Sequence, residues 1–341
     1  MAEYLENGVS KLNQKDYNGA ISDFNKAIGL EPGNAEAYYK RGCARFDLNH
    51  YKRAISDFTR AIELDSANAD AYTNRGLSKF NLMDCGGAIE DYNRVLQLKP
   101  LDAGPYFNRG CANICLQDLQ GSIVDFDRAI ELNPNFAMAR GYYSHLLCFL
   151  KRYDEAIEQG ERALILDPLN SLFMSLHSGT MQSLGRLDEA MDLCRRALKT
   201  SPYDFVALQT LWEISHLKGQ FDDALDSAKA LYTGLGLTPV VEAMSGGYEA
   251  GGYSGAMRAA ADALAAISEQ TYIGPWYMAF PWAAAGETEK TLEWLEKGYA
   301  IGDPNMPYLE IEHTIFRDLL SGNPRFLDLL RRMNLPTGDK K

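Results

Sequence analysis

Arginine, aspartate, asparagine and cysteine recur in this chain at fixed intervals, and from those residue types an ion pair, a peptide clasp or a thiol site can be built. Arg41, Arg75 and Arg109 repeat every 34 residues, and so do Asp23, Asp57, Asp91 and Asp125. A guanidinium is a planar fork of donors that matches a carboxylate, so the two series suit internal ion pairs, or else arginines offered to an anionic ligand. Asn74 and Asn108 stand one period apart, each with a donor and an acceptor that can pair with the backbone of an extended peptide. Cys111 and Cys115, four apart, can share one helix face, and Cys43 lies two periods before Cys111. A metal site needs three or four converging ligands, and the spacing brings only two together, as it does for His145 and Cys148. These thiols therefore read as packed or groove-lining, and no metal or other cofactor is implied. Gly246-Gly247 with Gly251-Gly252 lacks the preceding strand and the spacing of a phosphate loop, and no nucleophile context or zinc-hydrolase helix appears. Catalysis is not expected.

The elements that carry these residues come from one repeated sentence. Ala37-Tyr38-Tyr39-Lys40-Arg41-Gly42, Ala71-Tyr72-Thr73-Asn74-Arg75-Gly76 and Gly104-Pro105-Tyr106-Phe107-Asn108-Arg109-Gly110 open three units, and Ala54, Ala88 and Ser122 follow twelve residues after the glycines. Phe58, Tyr92 and Phe126 keep the same period. A small residue is needed where two helices cross closely, and the aromatics fill the space that the small residues leave. Pro32, Pro100, Pro134, Pro168 and Pro202 mark helix stops. A hairpin cannot bury its apolar stripe alone, so units must stack. This pattern resembles the tetratricopeptide repeat. The resemblance implies an all-α, right-handed superhelical solenoid of about nine helix-turn-helix hairpins with a C-terminal capping helix. If the first helix of one unit packs on the second helix of the unit before, Arg41 meets Asp23, Arg75 meets Asp57 and Arg109 meets Asp91.

Residues 1–136 read as four well-matched units. Residues 137–238 read as three divergent ones, with Ser144, Ser178 and Trp212 in the glycine position. Residues 239–335 read as two degenerate hairpins plus capping helices, and 336–341 as a loose tail. Seven glycines between Gly234 and Gly255 mark a bend, flanked by helices over 239–245 and 254–269. A ninth hairpin is expected from 276–285 and 288–300. Asn323, Pro324 and the apolar face of Phe326, Leu329, Leu330 and Met333 predict a last helix. From Tyr272 onward, Leu292-Glu293-Trp294-Leu295-Glu296-Lys297, Phe316-Arg317-Asp318-Leu319 and Pro324-Arg325-Phe326 resemble the terminal repeat module of bacterial signalling proteins.

Composition sets bounds on partners. In 341 residues, 46% hydrophobic content supports a folded chain, and a net charge of −12 argues against nucleic acid or an anionic membrane as partner. The chain opens without a basic, apolar leader and its six cysteines lack paired spacing, so it reads as cytoplasmic with reduced thiols. The repeat resemblance implies a concave groove lined by Tyr39, Lys40, Asn74, Phe80, Phe107, Asn108, Tyr142 and His145, suited to a protein or peptide partner. Alternatively these side chains cover one another. The carboxylate clamp of chaperone-binding repeats is matched at one of five positions (Tyr39 and Cys43, then Asn74, then Gly104 and Asn108), so no chaperone tail is expected. The function implied is a non-catalytic interaction scaffold. Its rival is an effector-sensing module acting on a separate kinase or transcription regulator.

Overall fold

The computed structural model describes residues 1–303, 305–310 and 314–337. Among them the chain is helical, without a β-strand. Its packing divides it into two compact units, Met1–Leu146 and Leu147–Lys341.

The first unit holds four hairpins: α1 (Ala2–Asn13) with α2 (Tyr17–Leu30), α3 (Ala35–Asp47) with α4 (Tyr51–Leu64), α5 (Ala69–Asn81) with α6 (Cys85–Leu98), and α7 (Ala103–Cys115) with α8 (Leu119–Leu132). Capping residues start them. Asn34 and Asn68 accept from the backbone N–H three residues on, and Asp16, Asp84 and Asp118 do the same for second helices. Each hairpin closes on a small-to-large contact. A Cβ on Gly42 would stand 2.6 Å from the Phe58 ring, and Gly8 with Phe24, Gly76 with Tyr92 and Gly110 with Phe126 repeat that fit. The turn between the two helices has its own period: Lys15, Asn49, Met83 and Gln117 all adopt φ between 59° and 63° immediately before the second helix is capped.

In the second unit, where the division falls within α9 (Ala137–Phe149), the hairpins continue. They are completed by α10 (Tyr153–Leu166), α11 (Ser171–Ser183) with α12 (Leu187–Thr200), and α13 (Phe205–Leu217) with α14 (Phe221–Gly234). Lys151, Gly185 and Gly219 keep the left-handed turn. Divergence in the glycine position is compensated across the hairpin: Trp212 replaces glycine, and Ala228 stands where Phe24 and its counterparts stand, both in one buried cluster. Volume is thereby conserved with the large partner moved to the other helix.

α15 (Thr238–Ser268) is broken at Gly251 and at Gly252, whose φ is 61°. Its first arm runs past the expected end at Ser245 because Gly246 and Gly247 stay helical. The reason is close approach: a Cβ on Gly247 would lie 2.5 Å from the Gly255 carbonyl oxygen, so glycine lets the two arms touch. α16 (Pro275–Ala284) and α17 (Thr288–Ile301) form the next hairpin around Gly286, at φ 80°. A 3-10 turn η1 (Met306–Glu310), α18 (Ile315–Leu320) and α19 (Pro324–Arg332) follow. Asn323 caps α19 through Arg325 N and Phe326 N, and Phe326, Leu329 and Leu330 are buried. Glu213 of α13, itself buried, accepts from Gln182 Nε2 and from Ile315 N, both at 2.9 Å, and so anchors the start of α18. Of the tail read as loose, residues 338–341 lie outside the described residues.

Candidate functional site

The arginine ladder pairs within each hairpin, which corrects the expectation of pairing to the unit before. Arg41 grips Asp57 through Nη2 (2.6 Å) and Nε (3.0 Å), Arg75 grips Asp91 (2.5 and 3.0 Å), and Arg109 grips Asp125 (2.6 and 2.9 Å). The acids are buried, and a second donor joins three of them: Arg45 on Asp57, Lys79 on Asp91 and Asn113 on Asp125. Asp23, with no arginine before it, takes Lys11 and Lys26. The remaining arginine nitrogen reaches back one hairpin, Nη1 donating to Asn25, Thr59 and Asn93 respectively. Tyr38, Tyr72 and Tyr106 lie beneath the guanidiniums at 5.3 to 5.6 Å. Every nitrogen of these arginines is engaged by the chain's own groups, which marks them as structural ties within and between hairpins.

Successive first helices touch one another, α1 on α3, α3 on α5 and α5 on α7, and make one continuous face. The predicted groove residues lie on these helices and on α9. Asn74 Nδ2 donates to the Tyr39 hydroxyl at 3.1 Å, which ties two neighbouring helices together. Lys40 Nζ lies 5.6 Å from the centre of the Tyr39 ring. Phe107 is enclosed by Phe126, Phe136 and Tyr142 at 5.2 to 6.0 Å. Phe80 packs on the cluster of Cys85, Ala88, Tyr92 and Ala112. Asn108 makes no side-chain hydrogen bond among the described residues, whereas Asn74 is already engaged. Burial lowers the pKa of His145, keeping the ring neutral near pH 7. Several aromatic side chains of this face thus do cover one another, while all eight predicted residues remain partly exposed.

The expectation of six reduced thiols is overturned. Cys85, at the start of α6, is disulfide-bonded to Cys115, at the end of α7, where the two helix ends bring the Cα atoms within 6.4 Å. No local spacing announces this pair, because thirty residues of chain separate them. Burial pushes the Cys43 thiol up to about 11 and the Cys111 thiol up to about 12, so both stay protonated at neutral pH. Among the described residues no group of three or more His, Cys, Asp or Glu is placed to hold a metal ion, and no helix is long and apolar enough to cross a membrane.

Sequence reasoning missed a cleft of about 390 Å³ beside the Gly251–Gly252 break, lined by His216, Phe221, Tyr253, Ser254, Asp318 and neighbours. Tyr253 stacks on Phe221 at 5.0 Å and its hydroxyl accepts from Trp212 Nε1 at 2.9 Å. That hydroxyl also lies 3.2 Å from His216 Nδ1, within hydrogen-bond reach. The run of seven glycines was the only sequence signal near this place.

Two adjacent stretches, residues 5–34 and 35–68, match models of the tetratricopeptide repeat. These stretches are tetratricopeptide repeats, and the hairpins that follow continue the same all-helical repeat architecture. A tetratricopeptide repeat protein from Parabacteroides merdae is similar in fold, with a TM-score of 0.60 at 20% identity over 68% of this chain and 92% of its own. Pseudomonas aeruginosa pilF aligns with a TM-score of 0.53 at 18% identity over 61% of this chain and 95% of its own. YrrB, described as a TPR protein with an unusual peptide-binding site, aligns with a TM-score of 0.43 at 23% identity over 55% and 96%. No curated protein matches the chain at a significant level.

Proposed function

We propose that the chain is a non-catalytic scaffold that holds an extended segment of a partner protein against the face formed by α3, α5, α7 and α9. The observation that carries this reading is the row of half-buried aromatic and amide side chains on consecutive first helices, Tyr39, Asn74, Phe107, Asn108 and Tyr142. Packed helices lie roughly 8–10 Å apart and an extended chain advances about 3.3 Å per residue, so one repeat spans about three ligand residues. Asn108 is the free clasp, and Asn74 keeps an acceptor after donating to Tyr39. Ordering a flexible peptide offsets much of the contact energy, which places affinity on the order of micromolar. The test is affinity capture from the source cell, followed by calorimetry of the captured segment against Asn74→Ala/Asn108→Ala. Loss of binding is expected, with stability lowered by no more than the roughly 1 kcal/mol of the Asn74–Tyr39 hydrogen bond. Unchanged affinity sinks the reading.

The effector-sensing alternative is favoured by a different observation, the cleft at the Gly251–Gly252 break, whose volume is that of a small-molecule site. On that reading a ligand between Tyr253 and Asp318 fixes the angle between the two arms of α15. Thermal stabilisation by a metabolite library, abolished by Tyr253→Ala, would favour it over the groove.

A further inference from the structure

The sixth hairpin, α11 with α12, breaks the ladder in a particular way. Where Arg41, Arg45 and Asp57 meet in the second hairpin, the positions four periods later hold His177, Met181 and Leu193. Asn25, the acceptor that Arg41 reaches in the preceding hairpin, corresponds to Glu161. The ion cluster is gone, and in its place is a cavity of about 460 Å³ lined by these four residues, by Leu164, and by Arg186, Asp188, Glu189, Asp192 and Arg196.

Its polar groups are unequally used. Arg186 is paired with Glu189 at 2.6 Å, Arg196 with Asp192 at 3.7 Å, and Lys218 with Asp188. Glu161 makes no hydrogen bond or close ion pair among the described residues, although its charge acts on Arg186 and on the His177 ring. His177 is 5% exposed and its buried Nδ1 has no hydrogen-bond partner, which is costly unless something supplies one. Four carboxylates face two arginines, the Lys218 ammonium on Asp188 and a ring that burial keeps neutral, so an entering cation still meets net negative charge.

We propose that this cavity is a site for an alkylguanidinium, the side chain of an arginine, which takes the place that the chain's own arginine occupies in the second to fourth hairpins. Its methylene stem lies on Leu164, Met181 and Leu193, and its nitrogens donate to the Glu161 carboxylate and to the unprotonated ring nitrogen of His177. The site is separate from the groove on α3 to α9 and does not depend on it.

The probe is N-acetyl-arginine amide, titrated into the full chain by NMR with the His177 ring resonances as reporter. The citrulline counterpart, of equal shape but uncharged, is the control, and free arginine against a Gly-Arg-Gly peptide distinguishes a free amino acid from a polypeptide side chain. Saturable shifts with the arginine probe, at least about tenfold weaker for citrulline and for Glu161→Gln, are expected from the loss of one charged hydrogen bond. His177→Arg/Leu193→Asp restores an internal pair and should abolish probe binding. Glu161 is exposed, so its variant decides the matter even if the double variant fails to fold. Equal response to arginine and citrulline, or an unchanged affinity in Glu161→Gln, overturns the proposal. Asn74→Ala/Asn108→Ala should leave this binding as it is.

Discussion

Replacing Asp57 by alanine removes the acceptor of two guanidiniums at once. Its Oδ1 takes Arg41 Nη2, and its Oδ2 takes Arg41 Nε and Arg45 Nη1. Breaking a buried ion pair from one side costs about 3–5 kcal/mol, because the surviving charge is left without a partner. Here the two arginine side chains are 15% and 19% exposed and can partly rehydrate, and Arg41 keeps its bond to Asn25, so about 2–4 kcal/mol is expected. A long repeat array need not unfold in one step, so native-state hydrogen exchange of α3 and α4 is the suitable assay. Protection there should fall roughly 30- to 1,000-fold. Double-mutant cycles then locate the partner: Asp57→Ala should couple to Arg41→Ala by about 2 kcal/mol and to Arg75→Ala by less than about 0.5. Transplanting the sixth hairpin's residues, as Arg41→His/Arg45→Met/Asp57→Leu, should recover at least half of the loss, since an apolar replacement strands no charge. A cost under about 1 kcal/mol, or equal coupling to Arg41 and Arg75, would refute the reasoning.

Met83→Gly should raise stability by up to about 1 kcal/mol in chemical denaturation, because methionine holds φ 63° there and glycine adopts it without strain. Burial pushes the Glu213 carboxyl up to about 7 in the folded chain, above its ordinary value of 4.5. The folded state therefore holds the extra proton, and stability present below pH 4.5 should decline as pH rises through about 7, by up to ~3 kcal/mol. Glu213→Gln should flatten that stretch of the melting-temperature profile, and an unaltered slope would assign the titration elsewhere. Cys85→Ser should lower stability by about 2–4 kcal/mol, and dithiothreitol should do the same to the parent chain while leaving the variant unaffected.

How much of this was legible in the sequence depends on whether a feature is periodic or paired. Periodicity marked the hairpins, the crossing glycines and both ladders, since each repeats at the same interval. It could not by itself say which rung meets which, because Asp57 lies sixteen residues from Arg41 and eighteen from Arg75. The clue was adjacent: Arg41 precedes Gly42 and Asp57 precedes Phe58, so the pair that closes the hairpin by packing also aligns the charges. The exchange of large and small between Trp212 and Ala228 was readable only by comparing two positions together. The left-handed turns were hidden because lysine, asparagine, methionine and glutamine fill them in place of glycine. The Cys85–Cys115 bond joins helix ends that only tertiary packing brings near, and the two cavities described above, beside Tyr253 and beside His177, are lined by residues that break the pattern. For the groove, the repeat register located the candidate side chains but could not show that Asn74 is engaged by Tyr39 while Asn108 is not.

Because each arginine closes on an aspartate of its own hairpin, a cut at any boundary between the first four units severs no ion pair. The arginine that follows loses a neutral hydrogen-bond acceptor, such as Asn25 or Thr59, and the cut between the second and third units also breaks the neutral bond from Asn74 to Tyr39. Between the first three units, whole 34-residue modules can therefore be gained, lost or duplicated without exposing an uncompensated charge at the new junction, whereas the junction before α7 is also crossed by the Cys85–Cys115 bond and is not free to move in this way.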